Sequence, residues 1–167
     1  MIERTLGETD EALEFERSDE VRQCVLQLTQ QARRSVDIVS RHLDPSLFNA
    51  AEFADAIRKV IVDTRRAQVR ILVLDPAPLA GQNHRLVELA RQLSSFITLR
   101  TPPAEYKDLN EAWLVADNTG YLYRRFSDRY EATANFADRR QSNHLTTRFE
   151  EIWQRAESIS SLRRLHL

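Results

Sequence analysis

Two periods organise the apolar positions of this chain. Leu13 and Phe15 alternate with acids, and Val21, Cys24, Val25 and Leu28 then recur at helical spacing. Ser18 is placed to cap that helix, Asp19 and Glu20 complement its dipole, and the helix should run to about Ala32. "SVDIVSR", 35–41, is a β-rich run broken by "DPS". Phe53, Ile57, Val60 and Ile61 return to the helical period, and "QVRILVLDP" is an apolar run of strand length that ends on Asp75 and Pro76. After a loop over 75–82, Leu86, Leu89, Ala90 and Leu93 predict a third helix and "FITLR", 96–100, a third strand. Helices alternating with strands at this spacing predict an α/β fold with a mixed, mainly parallel sheet flanked by helices.

The second half changes rhythm. "TPPAEYKD" reads as a loop, "AWLVA" as a buried strand, "DNTG" as a tight turn and "YLYR" as the returning strand, so 112–124 predicts a hairpin. Leu145, Phe149, Ile152, Trp153 and Ala156 then mark a closing amphipathic helix, with Trp153 in the core. Residues 1–11 are acidic and patternless, a loose arm or edge strand, and 158–167 form a C-terminal tail. The 167 residues are expected to make one domain, large enough to bury a core unaided.

Composition narrows the function classes. No apolar run approaches the ~20 residues of a membrane helix, and the first 20 residues hold eight acids and no apolar core of a signal peptide. A soluble, cytoplasmic protein of bacterial type without membrane attachment is therefore expected. Cys24, the only cysteine, lies in a helical apolar series and is read as a packing residue. The net charge of −1 argues against strong non-specific nucleic-acid binding. That charge is uneven, since residues 121–167 carry nine arginines against six acids. Such asymmetry fits pairing between the two ends of the chain or a solvated acidic arm. Gly7, Gly81 and Gly120 are the only glycines, and no phosphate-cradling loop can be built from them. Neither a nucleotide cofactor nor a metal is expected.

Two stretches carry chemistry. In "NEAWLVADN", 110–118, and "ATANFADRRQSNHLTTRFEEIW", from Ala132 on, the spacing and order resemble one copy of the phospholipase D-like superfamily. In that superfamily a strand carries His-x-Lys, four further residues and an Asp, and a Gly-Ser-x-Asn loop leads into an amphipathic helix. Anchored on Asp117, the resemblance puts Asn110 at the histidine position and Ala112 at the lysine position. Ala132, Thr133 and Asn135 take the glycine, serine and asparagine positions, beyond a longer connection containing "GYLYRRFSDRYE". The chain also resembles a bacterial phospholipase D-like domain that occurs alone or appended to an acetyltransferase-like domain.

The resemblance implies that catalytic members use one histidine as nucleophile, a second as acid, and lysine and asparagine to hold the phosphoryl oxygens. It also implies that single-copy chains pair as homodimers to complete the site. An amide and a methyl group at the two key positions leave no catalytic residues, so the expectation is a non-catalytic module whose cleft is filled or reused for an anionic ligand. The alternatives are a divergent phosphodiesterase or nuclease with a relocated nucleophile, and a scaffold or regulatory partner of an acetyltransferase. His42, just past the first predicted strand, and His84, opening a helix beside Arg85, are the candidates for a relocated or anion-binding group. His144 and His166 carry no further signal, and no histidine has triad or metal-ligand spacing.

Overall fold

The computed structural model describes residues 3–159. Its elements follow the order β1 (Leu13–Phe15), α1 (Ser18–Gln31), β2 (Ser35–Ser40), α2 (Pro45–Phe48), α3 (Ala51–Thr64), β3 (Gln68–Val73), α4 (Arg85–Gln92), β4 (Ile97–Thr101), β5 (Ala112–Ala116), β6 (Gly120–Arg124), β7 (Ala132–Asn135), α5 (Arg139–Trp153) and β8 (Glu157–Ser158). The strands form one sheet in the order β1-β7-β6-β5-β2-β3-β4-β8. Only β2–β3 and β3–β4 are parallel among its pairings. The sheet is thus mixed and mostly antiparallel, which corrects the mainly parallel expectation. The physical reason is that β5 pairs antiparallel with β2, on the edge that β3 leaves free, and carries the β5–β6 hairpin and β7 with it.

The alternation of each central strand divides the core. Val36, Ile38, Val69, Ile71, Leu114 and Ala116 face α1, α3 and α4, while Val39, Leu72, Trp113 and Val115 face α5 through Leu145, Phe149 and Trp153. Cys24 is buried on α1, and burial pushes its thiol up to about 12, where it is inert.

Three local expectations need correction. Ser18 is the first helical residue rather than the cap, and the Glu20 carboxylate accepts the Arg17 backbone N–H at 3.3 Å in its place. The segment 132–135 is not a loop but a strand, with Ala132 and Ala134 buried and Thr133 exposed, because β1 and β6 supply hydrogen bonds on both sides. The N-terminal arm is neither loose nor a strand where it is described. Leu6 N–H donates to Gln31 Oε1 at 2.8 Å and Gly7 N–H to the Phe136 carbonyl at 2.8 Å. Gly120 permits that docking, since a Cβ there would lie 2.6 Å from Leu6 Cδ1. Of the tail expected over 158–167, Ser158 and Ile159 are described, and the rest, His166 included, lies outside the described residues. Among the described residues no helix is long and apolar enough to cross a membrane.

Candidate functional site

β5 has two ends, and the motif residues divide between them. Asn110 precedes the strand. Its Oδ1 accepts from Ser127 Oγ at 2.8 Å, and its carbonyl accepts from Ser127 N–H at 2.7 Å. Those bonds seat the 125–131 segment against the strand end. Arg124 fixes the same segment from below, its buried guanidinium donating to the Ser127 and Arg129 carbonyls at 2.9 and 2.7 Å. Tyr130 adds a third tie, its hydroxyl lying 2.9 Å from Ser46 Oγ on α2. A cavity of about 310 Å³ remains beside Asn110, lined by Ser40, Arg41, His42, Arg124 and Ser127 among others. Arg41, on its wall, donates to the Leu109 carbonyl at 2.6 Å and to the Lys107 carbonyl at 3.2 Å. Ala112 is buried in the sheet and offers no polar atom to this space.

Asp117 closes β5 at the other end, roughly 20 Å away by strand rise. It adopts φ 55°, and its carboxylate accepts the backbone N–H groups of Arg33, Arg34 and Ser35 at 2.7–3.0 Å. Thr133 stands level with Trp113 by way of Tyr123, and Asn135 level with Val115 by way of Tyr121. The Asn135 amide donates to Asp10 at 3.0 Å and accepts from Ala137 N–H at 2.9 Å, pinning the N-terminal arm to the corner before α5. Asn110, Asp117 and Asn135 therefore do not converge.

The two histidines part company as well. His42 is about half exposed, with Nδ1 3.6 Å from the Asp75 carboxylate, and it lines the cavity beside Asn110. His84 is buried as the cap of α4. Nε2 donates to the Leu43 carbonyl at 3.0 Å, and Nδ1 accepts from Leu86 N–H at 3.2 Å. Arg85 beside it donates to the Asn49 carbonyl at 2.8 Å.

Burial holds the His84 ring below its usual pKa, against the Leu43 hydrogen bond. The unfolded ring gains a proton as pH falls below about 6.5 while the folded ring stays neutral, so stability drops there and levels off once the folded ring titrates. His84→Ala should cost about 1–3 kcal/mol at neutral pH through the lost cap and the orphaned Leu43 carbonyl. Denaturant midpoints at two pH values check both: the wild type should lose more between neutral and mildly acidic pH than the variant. Equal losses would show that the ring is free to ionise.

Sequence reasoning passed over two charged clusters on the α5 face. Arg70 of β3 donates to buried Asp37 of β2 at 3.1 Å and to Glu150 of α5 at 2.6 Å, and it lies 4.9 Å from the Phe149 ring. Glu111 accepts from Arg148 at 2.6 Å and from the Tyr123 hydroxyl, with Arg148 over the Trp113 ring. The Arg148 hydrogen bond, opposed by burial, holds the Glu111 carboxyl below its ordinary range. The signal for the first cluster was present: one acid in "SVDIVS" and one arginine in "QVRILV", at positions that parallel register makes neighbours. Among the described residues no group of three or more metal-ligating side chains gathers.

This architecture has solved counterparts. An archaeal chromatin protein, TrmBL2, matches with a TM-score of 0.65 at 14% identity over 90% of this chain, which spans about half (54%) of that chain. The phospholipase D family member Nuc from Salmonella typhimurium matches at 0.64 and 15% identity, over 89% of this chain and 99% of that one. NucT from Helicobacter pylori matches at 0.62 and 14%, over 89% and 99%. The fold is accordingly phospholipase D-like. A search of curated proteins finds no match in sequence. The model of the family described as "Domain of unknown function (DUF7931)" matches residues 17–165, nearly all of the sheet and its helices, and the chain belongs to that family.

Proposed function

We propose that the chain is a non-catalytic phospholipase D-like module that acts by binding in the cytoplasm. The observation that carries this reading is the bonding of Asn110. The residue at the nucleophile position of the resemblance is an amide, and both its side chain and its carbonyl hold the 125–131 segment in place. The next position of the motif, Ala112, is buried and uncharged. Such a strand end supplies neither nucleophile nor cationic clamp, each worth roughly two or more orders of magnitude in rate. The cavity left beside it, with Arg41, His42 and Arg124 on its wall beside Asp44 and Asp128, is the candidate place for a small ligand whose anionic group faces the arginines.

Homodimerisation, which the superfamily resemblance implies, belongs to this reading. Among the described residues Val62 is the one large apolar side chain that is exposed, so the pairing surface is a polar one. A light-scattering mass of twice 19.5 kDa is expected, and a persistent 19.5 kDa species would remove pairing from the reading. Regulation of an acetyltransferase-like partner rests on the sequence resemblance alone.

Purified protein should turn over neither a chromogenic phosphodiester nor single-stranded DNA, without metal or with added divalent ions. Turnover well above background that Asn110→Ala leaves intact would overturn the proposal. One observation favours a second reading in that event, the His42–Asp75 pair on the wall of the cavity. Loss of that turnover in His42→Gln would identify a relocated nucleophile or base.

A further inference from the structure

The end of the sheet opposite Asn110 gathers arginines that no acid partners. Arg33 and Arg34 sit in the turn between α1 and β2, Arg65 and Arg66 in the turn between α3 and β3, and all four are exposed. The parallel register Ser35↔Gln68 sets these two turns side by side, and Gln68 N–H donates to the Arg34 carbonyl at 3.1 Å. On the other flank the Asp117 carboxylate binds the 33–35 backbone, which brings the β5–β6 turn alongside, and Arg139 of α5 donates to Thr119 Oγ1 in that turn at 3.2 Å. The pairs Arg33–Arg34 and Arg65–Arg66, together with Arg139, thus come from distant sequence to one edge.

A basin of about 810 Å³ lies among them, lined by Arg33, Arg34, Lys59 and Arg139, with Thr64 leading directly into Arg65 and Arg66. Its acids are Glu8, Asp63 and Asp117. Asp63 is 3.4 Å from Lys59 Nζ and Asp117 is engaged by backbone amides, and none of the three forms an ion pair with an arginine among the described residues. None of these five arginines makes an ion pair among the described residues. This contrasts with Arg70 and Arg148, which are saturated by carboxylates.

We propose that this edge is a docking surface for the phosphate backbone of a nucleic acid. Guanidinium forks match phosphate oxygens in pairs. The array runs across the ends of several strands, roughly 15–20 Å at the usual strand spacing, so it meets several phosphates of a polymer rather than one. A concave, mostly polar basin suits a polyanion better than a lipid surface, which a docking face enters with apolar side chains, and Val62 is the one exposed large apolar side chain among the described residues. The net charge of −1 averages this edge with the acidic N-terminal stretch, and it sets the expectation of weak, salt-sensitive binding rather than of none. The proposal stands whether or not the Asn110 end is catalytically silent.

The test is fluorescence anisotropy of the full chain with a labelled oligonucleotide of about 20 nucleotides at roughly 50 mM salt, where a Kd between about 1 and 100 μM is expected. Arg33→Glu with Arg34→Glu, and separately Arg65→Glu with Arg66→Glu, should each weaken binding at least about tenfold. The corresponding glutamine variants should weaken it less and flatten the salt dependence. Reversal of Arg125 and Arg129, at the Asn110 end, should leave binding unchanged, and unaltered thermal melting should confirm that all variants fold. No binding up to about 100 μM would overturn the proposal, as would binding that survives both double reversals. So would capture by anionic phosphatidylserine vesicles without capture of the oligonucleotide, or ATP binding as tight as the oligonucleotide. Phosphodiesterase turnover abolished by Asn110→Ala would sink the non-catalytic reading and leave this one standing.

Discussion

Replacing Arg70 with methionine will cost about 3–5 kcal/mol of stability at neutral pH, because the change strands a buried carboxylate. The Asp37 side chain is 4% exposed, and Arg70 is the cation that meets it, through two nitrogens at 3.1 and 3.3 Å. Burial already pushes the Asp37 carboxyl above its ordinary pKa, with Arg70 pulling the other way. A carboxyl raised in the folded state contributes stability that is present below its unfolded pKa and is lost as pH rises through the folded value. Removing Arg70 raises that folded value further. The deficit of the variant is therefore greatest at neutral pH and shrinks as the medium is acidified toward Asp37 protonation.

Glu150 adds little to this account, since it is 42% exposed and can be solvated once its partner is gone. Urea unfolding followed by Trp113 and Trp153 fluorescence measures the effect. A penalty below about 1 kcal/mol, or one independent of pH, would show that water reaches Asp37. The double variant Asp37→Leu with Arg70→Met should recover most of the loss, since an apolar pair of similar volume dispenses with the desolvation of two charges.

That triad marks where sequence reading fell short. Periodicity located β2, β3, α3, α4 and the β5–β6 hairpin because each buries one face or both, and burial writes its period into the residue types. It could not give the pairing partners. β2 has two edges, and nothing in "SVDIVS" states that the second is taken antiparallel by β5, so the sheet came out less parallel than the helix–strand alternation implied. "ATAN" is too short and too poor in β-branched residues to read as β7, whose identity comes from the strands on either side. α2 is a single turn fixed by Asp44, whose carboxylate accepts from Ser46 N–H at 3.0 Å.

The site was legible in part for a similar reason. Motif spacing found Asn110, Ala112 and Asp117, which one strand holds in fixed relation. The role of Asn110 depends on Ser127, from a patternless segment, and folding alone brings the two together. The arginine edge was visible only as an excess of charge, because Arg33–Arg34, Arg65–Arg66 and Arg139 lie far apart in sequence and are joined by the β2–β3 register and the Arg139–Thr119 hydrogen bond.

Asp117→Ala will cost about 2–3 kcal/mol of stability, since one ionised acceptor serves three backbone donors at the point where α1 turns into β2. Left without it, the N–H groups of Arg33, Arg34 and Ser35 have only water to turn to, and the β5–β6 turn keeps only its backbone ties to β2, such as the Asp117 N–H to the Ser35 carbonyl at 2.9 Å. The backbone adds a second component. Asp117 sits at φ 55°, a conformation that aspartate and asparagine enter more cheaply than alanine does. The substitutions therefore rank: Asn keeps the conformation and one acceptor oxygen and should lose about half as much as Ala, while Gly relieves the strain but supplies no acceptor. Thermal unfolding gives the ranking, and hydrogen exchange should locate it, with the Arg34 and Ser35 amides losing protection first. Asparagine as damaging as alanine would mean that the ionic charge, not the acceptor geometry, holds the turn. Oligonucleotide affinity supplies an independent reading at the same edge. Removing a negative charge from the basin should leave binding unchanged or tighter even as the melting temperature falls, and a parallel loss of both would mean that the arginine array depends on Asp117 for its arrangement. This aspartate is the one residue of the strand motif that stands here unaltered, and a structural task of this size accounts for it without any phosphorus chemistry at the far end of β5.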